Sequence, residues 1–171
     1  LGDAGEEAFQ AELERRWPEL GMAPGWVTDQ KRERAGTMAH WLAEYHARAA
    51  AEGWRPVATE ESFRVEIGRA VLRGNVDRLE VDGEGRLRVV DYKTGSSAPS
   101  AKELEEHPQL GSYQVAIAEG GFAGHGTDVA GAALAHLGRA RNQRNAVQSQ
   151  ASITDAEDPR RFHDLIVGTA D

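Results

Sequence analysis

Two aspartates and a lysine stand close together in the stretch Gly74-Asn75-Val76-Asp77-Arg78-Leu79-Glu80-Val81, Asp82-Gly83-Glu84-Gly85, Arg86-Leu87-Arg88-Val89-Val90-Asp91-Tyr92-Lys93-Thr94-Gly95. The stretch reads as a β-hairpin whose loop, Gly83-Glu84-Gly85, puts Gly85 where a left-handed residue is wanted. In that register Asp82 faces Arg86, Glu80 faces Arg88, Leu79 faces Val89 and Val81 faces Leu87. Opposite charges then pair on one side of the hairpin and apolar groups on the other, the arrangement that cross-strand energetics favour. A slip of one residue would send both sets to the wrong faces.

The same register sets Asp77 opposite Asp91, on the side that carries Leu79 and Val89. Lys93, two residues further, projects from that side too. Two carboxylates about 5 Å apart across a hairpin repel one another. Burial raises the cost unless one is protonated or a cation lies between them. A divalent metal resolves the conflict, and hard cations such as Mg²⁺ prefer carboxylate oxygen. A lysine beside the pair can orient or help deprotonate a water, or stabilise charge on a phosphate. The chemistry this suits is metal-assisted hydrolysis of a phosphate ester. A purely structural alternative stands beside it: each Asp could cap a turn, or pair with Arg78 and Lys93.

The elements that must hold this hairpin follow from pattern. Residues 3–16 read as an amphipathic helix with Phe9, Leu13 and Trp17 at helical spacing. Residues 20–27 hold one proline and two glycines and read as a loop. Asp29 looks like the N-cap of a long helix to Ala51, with Met38, Trp41, Leu42 and Tyr45 on its core face and Gly53 ending it. Strand-like runs follow at 57–67, 70–81 and 86–92, and then a loop rich in Ser, Ala and Pro after Gly95. Pro108 suits the first position of a helix to Ala118, stopped by Gly120-Gly121. Residues 129–137 form a small-residue apolar run, a buried strand. Residues 138–152 are polar and read as a loop or long hairpin. Asp158-Pro159 starts a last helix with Phe162, Leu165 and Ile166 on one face. The fold class is therefore mixed α/β: a central mixed sheet of about four strands flanked by helices.

These motifs resemble the RecB-like branch of the PD-(D/E)XK nuclease superfamily, where a Gly-x-x-Asp-Arg strand is followed by an Asp-Tyr-Lys-Thr-Gly strand end. Gly74-Asn75-Val76-Asp77-Arg78 and Asp91-Tyr92-Lys93-Thr94-Gly95 match these two, Gly36-Thr37-Met38-Ala39-His40 matches an upstream helix with a histidine, and Gln109-Leu110-Gly111-Ser112-Tyr113 matches a downstream Gln-x-x-x-Tyr helix. The resemblance implies a restriction-endonuclease-like core. It implies a metal, Mg²⁺ or Mn²⁺, held by His40, Asp77, Asp91 and the carbonyl of Tyr92. It makes Asp77, Asp91 and Lys93 catalytic, with Lys93 positioning or activating the attacking water. Gln109 and Tyr113, one turn apart on a shared face, would contact the substrate strand, and the product would carry a 5′-phosphate. For His40 the plain alternative is a surface or core histidine, although Gly36, Ala43 and Ala47 leave that side of the helix small.

More narrowly, the chain is similar to the C-terminal nuclease domains of bacterial UvrD-type helicase–nucleases of the AddAB and AdnAB kind. That likeness implies a deoxyribonuclease, an exonuclease by preference. It would act on single-stranded DNA ends delivered by an attached helicase in recombination and double-strand-break repair. Many relatives close with cysteines around an iron–sulfur cluster, and this sequence has none. Glu60 could add a metal group, with a solvated strand end as the plainer reading. Arg139, Arg141 and Arg144 form a basic run that could touch phosphates, or be a solvated loop. His107, His125, His136 and His163 lack mutual ligand spacing.

Composition bounds these readings. The 171 residues suit one domain: an N-terminal helix and loop to 28, a catalytic core over 29–138, and a polar loop and helix over 139–171. The opening on Leu1 and the close inside a helical pattern suggest a piece of a longer protein. With no cysteine, no basic leader and no apolar run near the ~20 residues of a membrane span, a cytoplasmic setting without membrane is expected. The net charge of −8 counts against tight, independent DNA binding, since phosphate contacts usually demand a basic surface. It leaves open a non-catalytic, nuclease-like scaffolding module in a DNA-processing complex. A third reading, a hairpin domain hydrolysing a small phosphoester, lacks any glycine-rich phosphate loop.

Overall fold

The computed structural model describes residues 2–95, 97–138 and 147–169. Its elements run α1 (Gly2–Arg16), a 3₁₀ turn (Trp17–Leu20), α2 (Trp26–Ala51), β1 (Arg55–Ile67), β2 (Ala70–Val81), β3 (Leu87–Lys93), α3 (Ala101–Glu105), α4 (Pro108–Ala118), β4 (Val129–His136), β5 (Val147–Gln150), a 3₁₀ turn (Ile153–Asp155) and α5 (Arg161–Gly168). The chain divides into two compact units. One comprises Leu1–Glu52, Tyr92–Ala98 and Ala135–Val147, and the other Gly53–Asp91, Pro99–Leu134 and Gln148–Asp171.

In the first unit α1 packs along α2. The Gln10 amide donates to the carbonyl of Gly36 at 2.9 Å, and Arg32 pairs with Glu14. Trp41 and Tyr45 are buried as expected, joined by Ala43 and Ala49, while Met38 and Leu42 are half-buried. The helix begins at Trp26 rather than after Asp29. Gly25 occupies the cap, and its carbonyl accepts from the N–H groups of Thr28 and Asp29. Asp29 instead falls in the first turn, where a carboxylate complements the positive end of the helix.

The second unit is organised by a sheet of five strands in the order β1-β2-β3-β4-β5. β1, β2 and β3 form an antiparallel meander. The crossover from β3 to β4 runs through α3 and α4, the kind of long connection a parallel pair needs. A fifth strand, Val147–Gln150, lies where sequence suggested a loop or long hairpin. It runs antiparallel to β4: Ser152 Oγ donates to the Val129 carbonyl, and a Cβ on Gly131 would sit 2.6 Å from the Gln150 carbonyl. Arg139, Arg141 and Arg144 lie outside the described residues.

One sheet face carries the main core: Phe63, Val65 and Ile67 of β1, Val76 and Leu79 of β2 and Val89 of β3, with Val115 and Phe122. Helices α4 and α5 pack against β1 and β2. Gly111 makes their contact possible, because a Cβ there would fall 2.2 Å from the ring of Phe162. Phe162 and Ile166 of α5 join this core, but Leu165, expected beside them, is exposed. The register steps it off the buried side.

The opposite face of the hairpin is buried as well. Glu80, fully buried, accepts from Arg78 at 2.6 Å and from Arg88 at 2.9 Å. The Arg88 guanidinium lies 3.7 Å over the ring of Trp54. A buried carboxylate is tolerable only when so bonded. Helix α3 was not expected from the loop-like composition after Gly95. Its signal was nevertheless present as a capping box, Ser100 bonding Glu103 N–H while the Glu103 carboxylate accepts from Ser100 N–H.

Candidate active site

The hairpin register follows the sequence reading. Leu79 pairs with Val89, Glu80 with Arg88 and Val81 with Leu87, the Asp82 N–H bonds the Arg86 carbonyl, and Gly85 is left-handed at φ 86°. The ladder reaches Arg78 opposite Val90, so Asp77 on β2 and Asp91 on β3 lie immediately beyond its last pair. Asp91 is 7% exposed and Asp77 half-buried.

Helix α4 brings a third group to this pair. Tyr113 packs edge-on against Phe63 at 6.2 Å and accepts a hydrogen bond from the Gln109 amide at 2.9 Å. Burial, and then the negative charges of Asp91 and Asp77, push the phenol above its ordinary value of 10.0, while the Gln109 bond acts the other way. Both carboxylates are within electrostatic reach of the phenol. The second unit therefore gathers Asp77, Asp91, Tyr113 and Gln109.

β1 adds a feature. The pairs Thr59–Arg78 and Glu61–Val76 flank Glu60 and Asp77, so Glu60 sits at the register position opposite Asp77. Its φ of 51° is left-handed, the sole such value for a non-glycine among the described residues. The side chain is exposed. Next to it, Glu61 pairs with His125 at 3.2 Å.

The remaining expected residues belong to the first unit. His40 on α2 holds Glu6 of α1, Nδ1 to Oε2, at 2.8 Å, and its ring meets Trp41 edge-on at 4.9 Å. The Tyr92 hydroxyl lies 3.3 Å from His46 Nε2, and its ring meets Tyr45 at 6.0 Å. The carbonyl of Lys93 accepts from the N–H groups of Leu137 and Gly138. Gly138 has no room for a side chain: a Cβ would fall 1.8 Å from the Thr94 carbonyl oxygen. Sequence reasoning did not anticipate Glu6, whose spacing of 34 residues from His40 carries no local signal. Nor did it anticipate Gln114, which is fully buried, donates to Gln150 and accepts from the Ile153 N–H.

Among the described residues no group of three or more His, Cys, Asp or Glu side chains forms a metal-holding cluster. Asp77 and Asp91, adjoining the last pair of the hairpin ladder, are nevertheless the hard oxygen donors that a divalent cation takes. Mg²⁺ is commonly bound through one or two carboxylates and completes its shell with water and substrate phosphate. No helix among the described residues is long and apolar enough to cross a membrane.

The sequence matches the PD-(D/E)XK nuclease superfamily over residues 2–171. No curated protein matches it. A solved structure, titled "Crystal structure of SSO0001", is 14% identical with a TM-score of 0.42, covering 92% of this chain and 82% of that one. That likeness is too distant to bear on function. With the superfamily match spanning residues 2–171, this chain belongs to the PD-(D/E)XK nuclease superfamily.

Proposed function

We propose that the chain is one nuclease domain, a deoxyribonuclease dependent on Mg²⁺ or Mn²⁺ that hydrolyses phosphodiester bonds to leave a 5′-phosphate and a 3′-hydroxyl. The observation that carries this reading is the placing of Asp77 and Asp91 just beyond the last pair of the β2–β3 ladder, both within electrostatic reach of Tyr113, in a sequence that matches a nuclease superfamily along its length. Asp77 and Asp91 supply the hard oxygen donors, and the RecB-like motifs add His40 and the carbonyl of Tyr92. A divalent cation held by these residues would supply Lewis-acid activation of the attacking water and charge stabilisation at the phosphate. Lys93 orients the water whose oxygen forms the new bond to phosphorus. The bond from phosphorus to the 3′ oxygen breaks, and that oxygen leaves with a proton. Gln109 and Tyr113 hold the strand by hydrogen bonds to its backbone.

The acidic balance of the chain, −8, favours a strand delivered by an associated helicase over independent capture. We therefore infer a cytoplasmic exonuclease acting on single-stranded ends in recombination and break repair, of the AddAB and AdnAB kind. The same charge supports a second reading, a non-catalytic module within a DNA-processing complex. Cleavage of labelled single-stranded DNA with Mn²⁺, by the wild type and by Asp91→Ala, separates the two. Metal-stimulated cleavage lost in the variant supports the enzyme. Cleavage equal in both, or absent from the wild type with its helicase partner supplied, overturns it.

A further inference from the structure

Two buried glutamines, Gln114 and Gln150, join α4 to β5. The Gln114 amide donates to Gln150 Oε1 at 2.8 Å and to the Ala151 carbonyl at 3.1 Å, and its oxygen accepts from the Ile153 N–H at 2.8 Å. The Gln150 amide is shared among the carbonyls of Leu104, Glu105 and His107, at 2.9, 3.1 and 3.3 Å. These carbonyls lie at the end of α3, where a helix leaves its last acceptors in need of partners, and at the entry to α4. Gln148, two residues earlier on the same strand, donates to the Pro99 carbonyl ahead of α3 at 2.8 Å. β5 thus grips both ends of α3. All of these groups belong to the second unit, as do Asp77, Asp91, Gln109 and Tyr113.

The polarity of the pair is forced. A backbone N–H can only donate, so Gln114 turns its oxygen to Ile153 and its NH₂ to Gln150. Gln150 must then offer its oxygen to Gln114 and its NH₂ to carbonyls, which only accept. Neither amide can flip without setting like against like. Gln114 follows Tyr113 in α4, about 100° round the helix axis. Leu110 and Gln114, one turn apart, are fully buried, while Gln109 and Tyr113 bond one another on the adjoining face. Any rotation of α4 that carried Tyr113 away from Phe63, its ring partner at 6.2 Å, would pull Gln114 from its three partners. We propose, on the strand-holding role given above to Gln109 and Tyr113, that Gln114 and Gln150 are positioning residues: the locked pair fixes the rotation of α4 and so where Gln109 and Tyr113 meet the backbone of a DNA strand. A pair that merely seals β5 against α3 would instead contribute to stability and leave the strand contacts untouched.

The test uses the full 171-residue chain. In the wild type the side-chain amide protons of Gln114 and Gln150 are expected to exchange slowly with solvent. Exchange as fast as that of an exposed glutamine overturns the lock without any variant. Gln150→Met and Gln114→Met each keep the side-chain length and remove the amide, and a thermal melt establishes that each folds. Nuclear Overhauser contacts between the Tyr113 and Phe63 rings are then compared with the wild type, as is KM for single-stranded DNA with Mn²⁺. In a folded variant the ring contacts should weaken and KM should rise by ~10-fold, the loss of one hydrogen bond to a charged group, with kcat little changed. The rise should disappear in a Tyr113→Phe background, because both changes remove the same contact. A lower melting temperature with ring contacts and KM as in the wild type overturns the positioning role and leaves the nuclease reading intact. A wild type that cleaves no DNA with its helicase partner supplied removes the nuclease reading and this inference with it.

Discussion

Tyr113 of α4, half-buried and hydrogen-bonded by Gln109 at 2.9 Å, lies within electrostatic reach of Asp91 of β3: burial first, and then the Asp91 charge, raise its phenol. The second unit brings a strand end and a helix face together at this point, and both carry motif residues. The raised value keeps the hydroxyl protonated through the neutral range, so Tyr113 remains a hydrogen-bond donor where phosphate oxygens would need one.

Tyr113→Phe removes that donor without emptying the site. Cleavage is expected to fall by roughly 10-fold, the worth of one hydrogen bond to a charged group, while the melting temperature changes little. A steady-state comparison with the wild type checks this; equal kcat/KM would remove the hydroxyl from substrate contact.

Asp91→Ala tests the metal and the repulsion together. Activity should fall by ~10²-fold or more, because the charge stabilisation a metal supplies amounts to several kcal/mol. Without metal, the variant should be as stable as the wild type or more so, since one of two opposed charges is gone. Urea melts in EDTA measure that sign.

Mn²⁺ should raise the melting temperature of the wild type. At a concentration 100 times the dissociation constant, binding to the native state contributes about 2.7 kcal/mol, which for a chain of this size is roughly 5–10 °C. Asp91→Ala should lose most of that rise in the same calorimetric scan.

Asp82 supplies a pH test. Burial alone would raise its pKa, but this is outweighed by the N–H groups of Arg86 and Glu84 and by the Arg86 guanidinium, leaving it below the ordinary 3.8. A depressed folded-state value means stability present above about pH 4 that is lost as pH falls through the folded pKa. Asp82→Asn should flatten the acid limb of a melting curve series and leave the alkaline limb unchanged.

Gly111→Ala places a methyl against the Phe162 ring, where the space is 2.2 Å. A loss of about 1–3 kcal/mol is expected from overpacking. Phe162→Leu should recover part of it in the double variant, a coupling that urea denaturation can measure.

Sequence determined the parts governed by short-range rules. The hairpin register from Arg78–Val90 to Val81–Leu87 followed from turn chemistry at Gly83-Glu84-Gly85 and from alternation. Helix α4 followed from Pro108 and the paired glycines, and Gln109 and Tyr113 share its face because four residues make one turn. Only tertiary structure decided the rest. That Glu6 reaches His40 and that Gln114 is buried against the Gln150 strand depend on residues 34 and 36 positions apart in sequence, and that the face bearing Glu80 is buried depends on what covers it. Such contacts leave no periodic trace, because the energy that selects them comes from packing and desolvation across elements rather than from local backbone preference.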